Sequence, residues 1–175
     1  MRKIVNQESG VALAALVLVA AISGCLVSGT KIFTYELGDI AINATAFTRT
    51  SVDLTTNDTF NDHIDDIRLI DRVGFTCNIV NTGNPANTIS LYFSKDNIPN
   101  DADVPTMATP LFTNLAVPAG TRTIGYDESL TLIQNFEAFQ AVIETGQFTV
   151  YSMATDNFSI TIDDPVLIIT FTVGL

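Results

Sequence analysis

Alternation with a period of two constrains this chain most. In Val73-Gly74-Phe75-Thr76-Cys77-Asn78-Ile79-Val80 the positions Val73, Phe75, Cys77 and Ile79 are apolar. Ile89, Leu91 and Phe93 repeat the pattern between Thr88 and Ser94. Successive side chains of a strand point to opposite faces, so such stretches bury one face and wet the other. Further β-branched and aromatic stretches run from Thr30 to Tyr35, Ile40 to Phe47, Thr121 to Tyr126, Gln147 to Met153, Phe158 to Ile162 and Val166 to Val173. The last is almost continuously apolar, as a strand packed on both faces would be. Asn81-Thr82-Gly83-Asn84-Pro85-Ala86-Asn87 is the densest cluster of turn formers and predicts a hairpin between its flanking strands.

One helix interrupts the strands. Leu130, Ile133, Phe136, Phe139, Val142 and Ile143 recur at helical spacing. Asp127 or Ser129 is placed to cap its start, and Gly146 to end it in the left-handed conformation. Phe60, Ile64 and Ile67 predict a second, weaker helix from about Thr59 to Ile67. The sum is one mainly β domain, an antiparallel sandwich with one or two helices packed against it. The strand–turn–strand from Val73 to Ser94 resembles immunoglobulin-like modules of exported proteins, which makes an immunoglobulin-like sandwich the expected form. It is also similar to the water-stress domains of late-embryogenesis-abundant proteins. Neither resemblance brings functional residues with it.

The N-terminus predicts export. Arg2 and Lys3 precede a polar stretch to Gly10 and then an unbroken apolar run from Val11 to Ile22. A membrane-spanning helix needs about 20 apolar residues, whereas the hydrophobic region of a secretory signal is shorter. Ile22-Ser23-Gly24-Cys25 follows. This resembles the lipobox of bacterial lipoproteins, in which small residues precede a cysteine that is acylated and becomes the mature N-terminus. The resemblance implies a signal peptide over 1–24, lipidation at Cys25 and one extracytoplasmic domain over 25–175. Leu26 after the cysteine resembles the outer-membrane pattern of Gram-negative lipoproteins. The competing reading is pilin-like: Glu8-Ser9-Gly10 resembles a type IV pilin leader, and residues 11–27 would stay on as a helix in a subunit of a surface assembly. Ala15 stands where pilins carry their glutamate.

Charge then sorts the partners. The chain has 19 acidic and 8 basic residues, a net charge of −11, and removing residues 1–24 with Arg2, Lys3 and Glu8 makes it −12. Such a surface argues against nucleic acid, whose binding releases counterions onto basic patches. It is also repelled by anionic headgroups, so attachment falls to acyl chains. With Cys25 modified, Cys77 has no partner and reads as a small core residue; unmodified, the two could form a disulfide.

Catalytic chemistry finds little to work with. His63 is the single histidine, no Gly-x-Ser-x-Gly elbow is present, and zinc would lack soft ligands. Asp96, Asn97, Asn100, Asp101 and Asp103 gather oxygen ligands of the kind calcium takes, but EF-hand spacing is missing, and the preferred reading is turn formers and caps that keep the domain soluble, with no metal. Asp53, Asn57, Asp58, Asp62, Asp65 and Asp66 form a second acidic cluster. A carboxylate-dependent hydrolase would have to pair two of these acids or Glu36, Glu128, Glu137 and Glu144. The expectation is a non-enzymatic, cofactor-free, lipid-anchored envelope protein, a structural module or one that interacts with an envelope protein of unknown identity.

Overall fold

The computed structural model describes residues 29–42, 46–83, 86–155 and 160–174. The predicted signal segment, Cys25 and the helix of the pilin-like reading lie outside the described residues. Nine strands are described: β1 (Gly29–Glu36), β2 (Ile40–Ile42), β3 (Thr48–Asp53), β4 (Ile67–Asn81), β5 (Asn87–Ser94), β6 (Thr109–Val117), β7 (Gly120–Ile124), β8 (Gln147–Ala154) and β9 (Ile160–Val173). One sheet runs β1-β9-β4-β7, with β2 also paired to β9; the other runs β3-β8-β5-β6. Every pairing is antiparallel.

With β2 set aside, this order is that of an eight-stranded jelly roll. Only β5 and β6 are neighbours in both chain and sheet. An immunoglobulin sandwich groups its first, second, fifth and fourth strands in one sheet, and that grouping is absent among the described strands. The predicted hairpin across Asn81–Asn87 is corrected for the same reason: β4 and β5 lie in different sheets, and the connection crosses between them. Asn81 and Asn87 are buried there. Asn81 Nδ2 donates to the Val117 carbonyl at 3.4 Å, and its Oδ1 accepts from the Gly83 amide. Alternation dictates which face of a strand is buried, not which strand lies beside it.

The buried faces follow the alternation. Val73, Phe75, Cys77 and Ile79 of β4 meet Ile89, Leu91 and Phe93 of β5 in one core. The rings of Phe75 and Phe112 stack across the sandwich with centroids 6.1 Å apart. Each such side chain, fully removed from water, contributes about 1.5–3 kcal/mol before chain entropy is counted. The two strands expected near the C-terminus are one, β9. It bulges where Asp164 takes φ +48° and Pro165 follows, a place where a residue without an N–H suits a ladder.

The helices are shorter than their periodicity. The expected helix over Leu130–Ile143 is two: α3 (Tyr126–Leu132) and α4 (Phe136–Ile143). They follow α1 (Asp58–Asn61) and α2 (Val104–Met107) in the chain. The break comes where the Gln134 amide donates to the Leu111 carbonyl of β6 and Asn135 Nδ2 to Pro110. Gly125, rather than Asp127 or Ser129, precedes α3. Gly146 does take φ +76° after α4, and a Cβ there would lie 2.8 Å from Thr55. The helix expected over Thr59–Ile67 is only α1 and a 3-10 turn over Ile64–Asp66, because Ile67 already begins β4.

Candidate functional site

The outer face of the β3-β8-β5-β6 sheet carries the most organised polar cluster. Strand alternation turns Tyr92 of β5 and Tyr151 and Met153 of β8 away from the main core. The β5–β6 connection folds back over them, and Phe47, Ile98, Val104, Ala108 and Tyr151 form a second small core. Tyr151 is fully buried there. Its hydroxyl accepts from the Ile98 amide at 2.8 Å and donates to the Asp96 carbonyl at 3.3 Å.

Arg49, on β3, closes this cluster. Its Nε donates to the Ile98 carbonyl, and its two terminal nitrogens donate to the carbonyls of Phe47 and Pro99. The same guanidinium pairs with Asp101 and lies 5.7 Å from the centre of the Tyr151 ring. Asp101 Oδ2 also accepts from the Phe47 amide at 3.1 Å. A planar fork of five donors suits such a set of carbonyls and one carboxylate.

The five calcium candidates therefore divide. Asp101 is taken up by Arg49 and the Phe47 amide. Asn100 donates to Asp103 at 3.1 Å, and the Asp96 amide donates to Ser94. Asn97 faces a shallow surface hollow with Lys95 and Gln147. Among the described residues no group of three or more His, Cys, Asp or Glu is gathered closely enough to hold a metal ion. The sequence offers no sign of Arg49 as the organising cation, since it is 52 residues from Asp101 and follows no motif.

The second acidic cluster is used locally. Asp53 accepts from the Thr55 amide and hydroxyl and from Gln147, and Asn57 accepts from Thr59 at the start of α1. His63 packs against Phe171, ring centroids 6.4 Å apart. Glu128 pairs with Arg122 at 2.6 Å, Glu36 lies on β1, and Glu137 and Glu144 lie on and just after α4.

Cys77 faces the space between the sheets. It is buried and free, and burial, with a smaller contribution from Glu128, pushes its thiol up to about 12. It borders an apolar cavity of about 50 Å³ with Phe75, Leu91, Phe112, Val150 and Leu167. The cavity's walls are wholly apolar, so a water there would find no hydrogen-bond partner. Ser152 of β8 is buried with its hydroxyl unpartnered, away from those walls.

No protein-family model matches the chain, and no curated protein matches it. Among solved structures it is similar to a chain of Desmodium yellow mottle tymovirus, at 11% identity and a TM-score of 0.32, over 86% of this chain and 89% of that one.

Proposed function

We propose that the chain is a lipid-anchored cell-envelope protein whose jelly-roll domain serves as a non-catalytic structural or interaction module. The observation that carries the reading is the lipobox-like Ile22-Ser23-Gly24-Cys25, set behind a basic and then apolar segment and four residues ahead of Gly29. Acyl chains on Cys25 hold a domain of charge −12 at a membrane that its own electrostatics would avoid. In a Gram-negative cell, Leu26 directs it to the outer membrane.

The non-catalytic part draws support from where the polar groups are committed. Asp101 and Glu128 are engaged by arginines, and His63 leans on an aromatic ring. No helix among the described residues is long and apolar enough to cross a membrane. Mass spectrometry of the mature protein tests the anchor: an acylated N-terminal Cys25 is expected, and an N-terminus at Val11 would support the pilin-like reading instead. Cys25→Ala is expected to release the protein from membranes; full retention of that variant would count against lipidation.

A further inference from the structure

Three large apolar side chains are conspicuously exposed among the described residues: Ile32, Leu69 and Met107. Two of them meet on one face. Ile32 of β1 is opposite Thr170 of β9, which is opposite Arg72 of β4; one row further on, Thr30, Thr172 and Leu69 align in the same way. Phe171, between the two threonines, points into the core, so Ile32, Leu69 and Arg72 share the outer face of the five-stranded sheet. Arg68 flanks these rows and donates to the Gly174 carbonyl, while Lys31, opposite the inward-pointing Phe171, lies on the other side of β1 from Ile32. Arg68 and Arg72 are two of the six basic residues that follow Cys25. Asp71, which accepts from the Thr172 hydroxyl, and the Asp65–Asp66 turn are the nearby acids. Ile32, Leu69 and Arg72 thus gather on one face of a chain that is acidic overall, with Asp71 among them.

The chain enters this end of the sheet. Four peptide steps join Cys25 to Gly29, a reach of at most about 14 Å, and Ile32 is about 10 Å further along β1. We infer that this end of the β1-β9-β4 face, carrying Ile32, Leu69 and Arg72, is the surface the domain rests on the bilayer. Ile32 and Leu69 enter the interface, while Arg72 meets lipid phosphates. The inference builds on the lipid anchor proposed above and adds an orientation: the other sheet, with its Arg49-clamped loop, faces away from the membrane. Aliphatic groups at the headgroup boundary and cations beside it are the elements by which a surface lies on a membrane.

The chain contains no tryptophan, so one introduced residue is a clean reporter. Ile32→Trp, Leu69→Trp and Met107→Trp, made in the full chain and acylated by a bacterial host, are reconstituted into phosphatidylethanolamine–phosphatidylglycerol vesicles with and without brominated acyl chains. The reporters at 32 and 69 are expected to shift to the blue and lose most of their emission to brominated lipid, while that at 107 keeps its own. Equal, negligible quenching at all three positions in acylated protein overturns the orientation and leaves the anchor standing. A blue shift at 32 and 69 that grows with protein concentration but ignores bromination also overturns it, and identifies a second copy as the occupant. An unmodified Cys25 in the same preparation, read by mass spectrometry, removes the anchor and the orientation with it.

Discussion

Arg49 is one of six basic residues after Cys25, and its guanidinium serves three backbone carbonyls, one carboxylate and one aromatic face. The Asp101 pair is about one-third exposed on each side, so its own worth is small. The carbonyls of the covering loop matter more, because no other described side chain donates to those of Ile98 and Pro99. Arg49→Ala is expected to destabilise the domain by about 2 kcal/mol in urea unfolding and to speed amide exchange from Ile98 to Asp103. Arg49→Lys should recover only part, since an ammonium cannot fork. Unaltered exchange in the loop would remove Arg49 as its organiser. Cys77 makes the opposite kind of prediction, with pH as the variable. Its thiol is held neutral to about pH 12, against an ordinary value of 9.0. The unfolded chain therefore releases this proton first, and the stability tied to it is full below pH 9 and is lost as pH rises toward 12. Cys77→Ala should flatten that part of the alkaline stability profile while lowering stability at neutral pH, as measured by chemical denaturation. The native thiol should stay inert to aromatic disulfide reagents at pH 8.

At the scale of elements, α3 is seated by a missing side chain. β7 covers β4 only from Cys77 to Asn81, so the ladder stops short of Phe75. Ser129 of α3 takes over: its hydroxyl accepts from the Phe75 amide at 2.9 Å and donates to Tyr126 at 2.6 Å. The helix approaches that closely because residue 74 is glycine; a Cβ there would lie 2.5 Å from the Tyr126 ring and 2.9 Å from the Ser129 hydroxyl. Gly74→Ala should therefore cost about 1–3 kcal/mol through overpacking, while Gly29→Ala, with nothing within 4 Å, should stay within about 0.5 kcal/mol. Equal melting temperatures for the two would show that α3 gives way freely. The same contrast explains what could be read in advance. The alternation in Val73–Ile79 and Ile89–Phe93 names the buried faces of β4 and β5 correctly, because burial depends on the residues themselves. β6 escapes that reading: Leu111 and Phe112 are both buried, Asn114 turns with φ +55°, and the register slips beside it. The break between α3 and α4 escapes it too, since the groups that end one helix and fix the next sit on β6, more than twenty residues away. The clamp around Arg49 has the same origin, its partners being local to the fold and distant in the chain.

On the scale of the whole molecule, β9 is the hub on which one sheet depends. It pairs with β1 along Gly29–Glu36, with β2, and with β4 along Ile67–Asn81. Five of its side chains, Ile160, Ile162, Leu167, Ile169 and Phe171, are buried in the main core. At about 1.5–3 kcal/mol each, their burial is comparable to the entire 5–15 kcal/mol by which a domain of this size is stable. Because β9 pairs with β1, more than 120 residues earlier, the five-stranded sheet cannot close until sequence-distant segments have met, which places folding in the millisecond-to-second range of non-local β topologies. A chain ending at Thr155 should therefore have no cooperative thermal transition by circular dichroism, although it keeps every strand of the β3-β8-β5-β6 sheet. Adding a peptide spanning residues 156–175 should restore a transition whose midpoint rises with peptide concentration, as binding to the folded form alone requires. Retention of a cooperative melt by the truncated chain, without peptide, would show that the four-stranded sheet and its Arg49-clamped loop hold together alone, and that β9 completes the molecule without determining its folding.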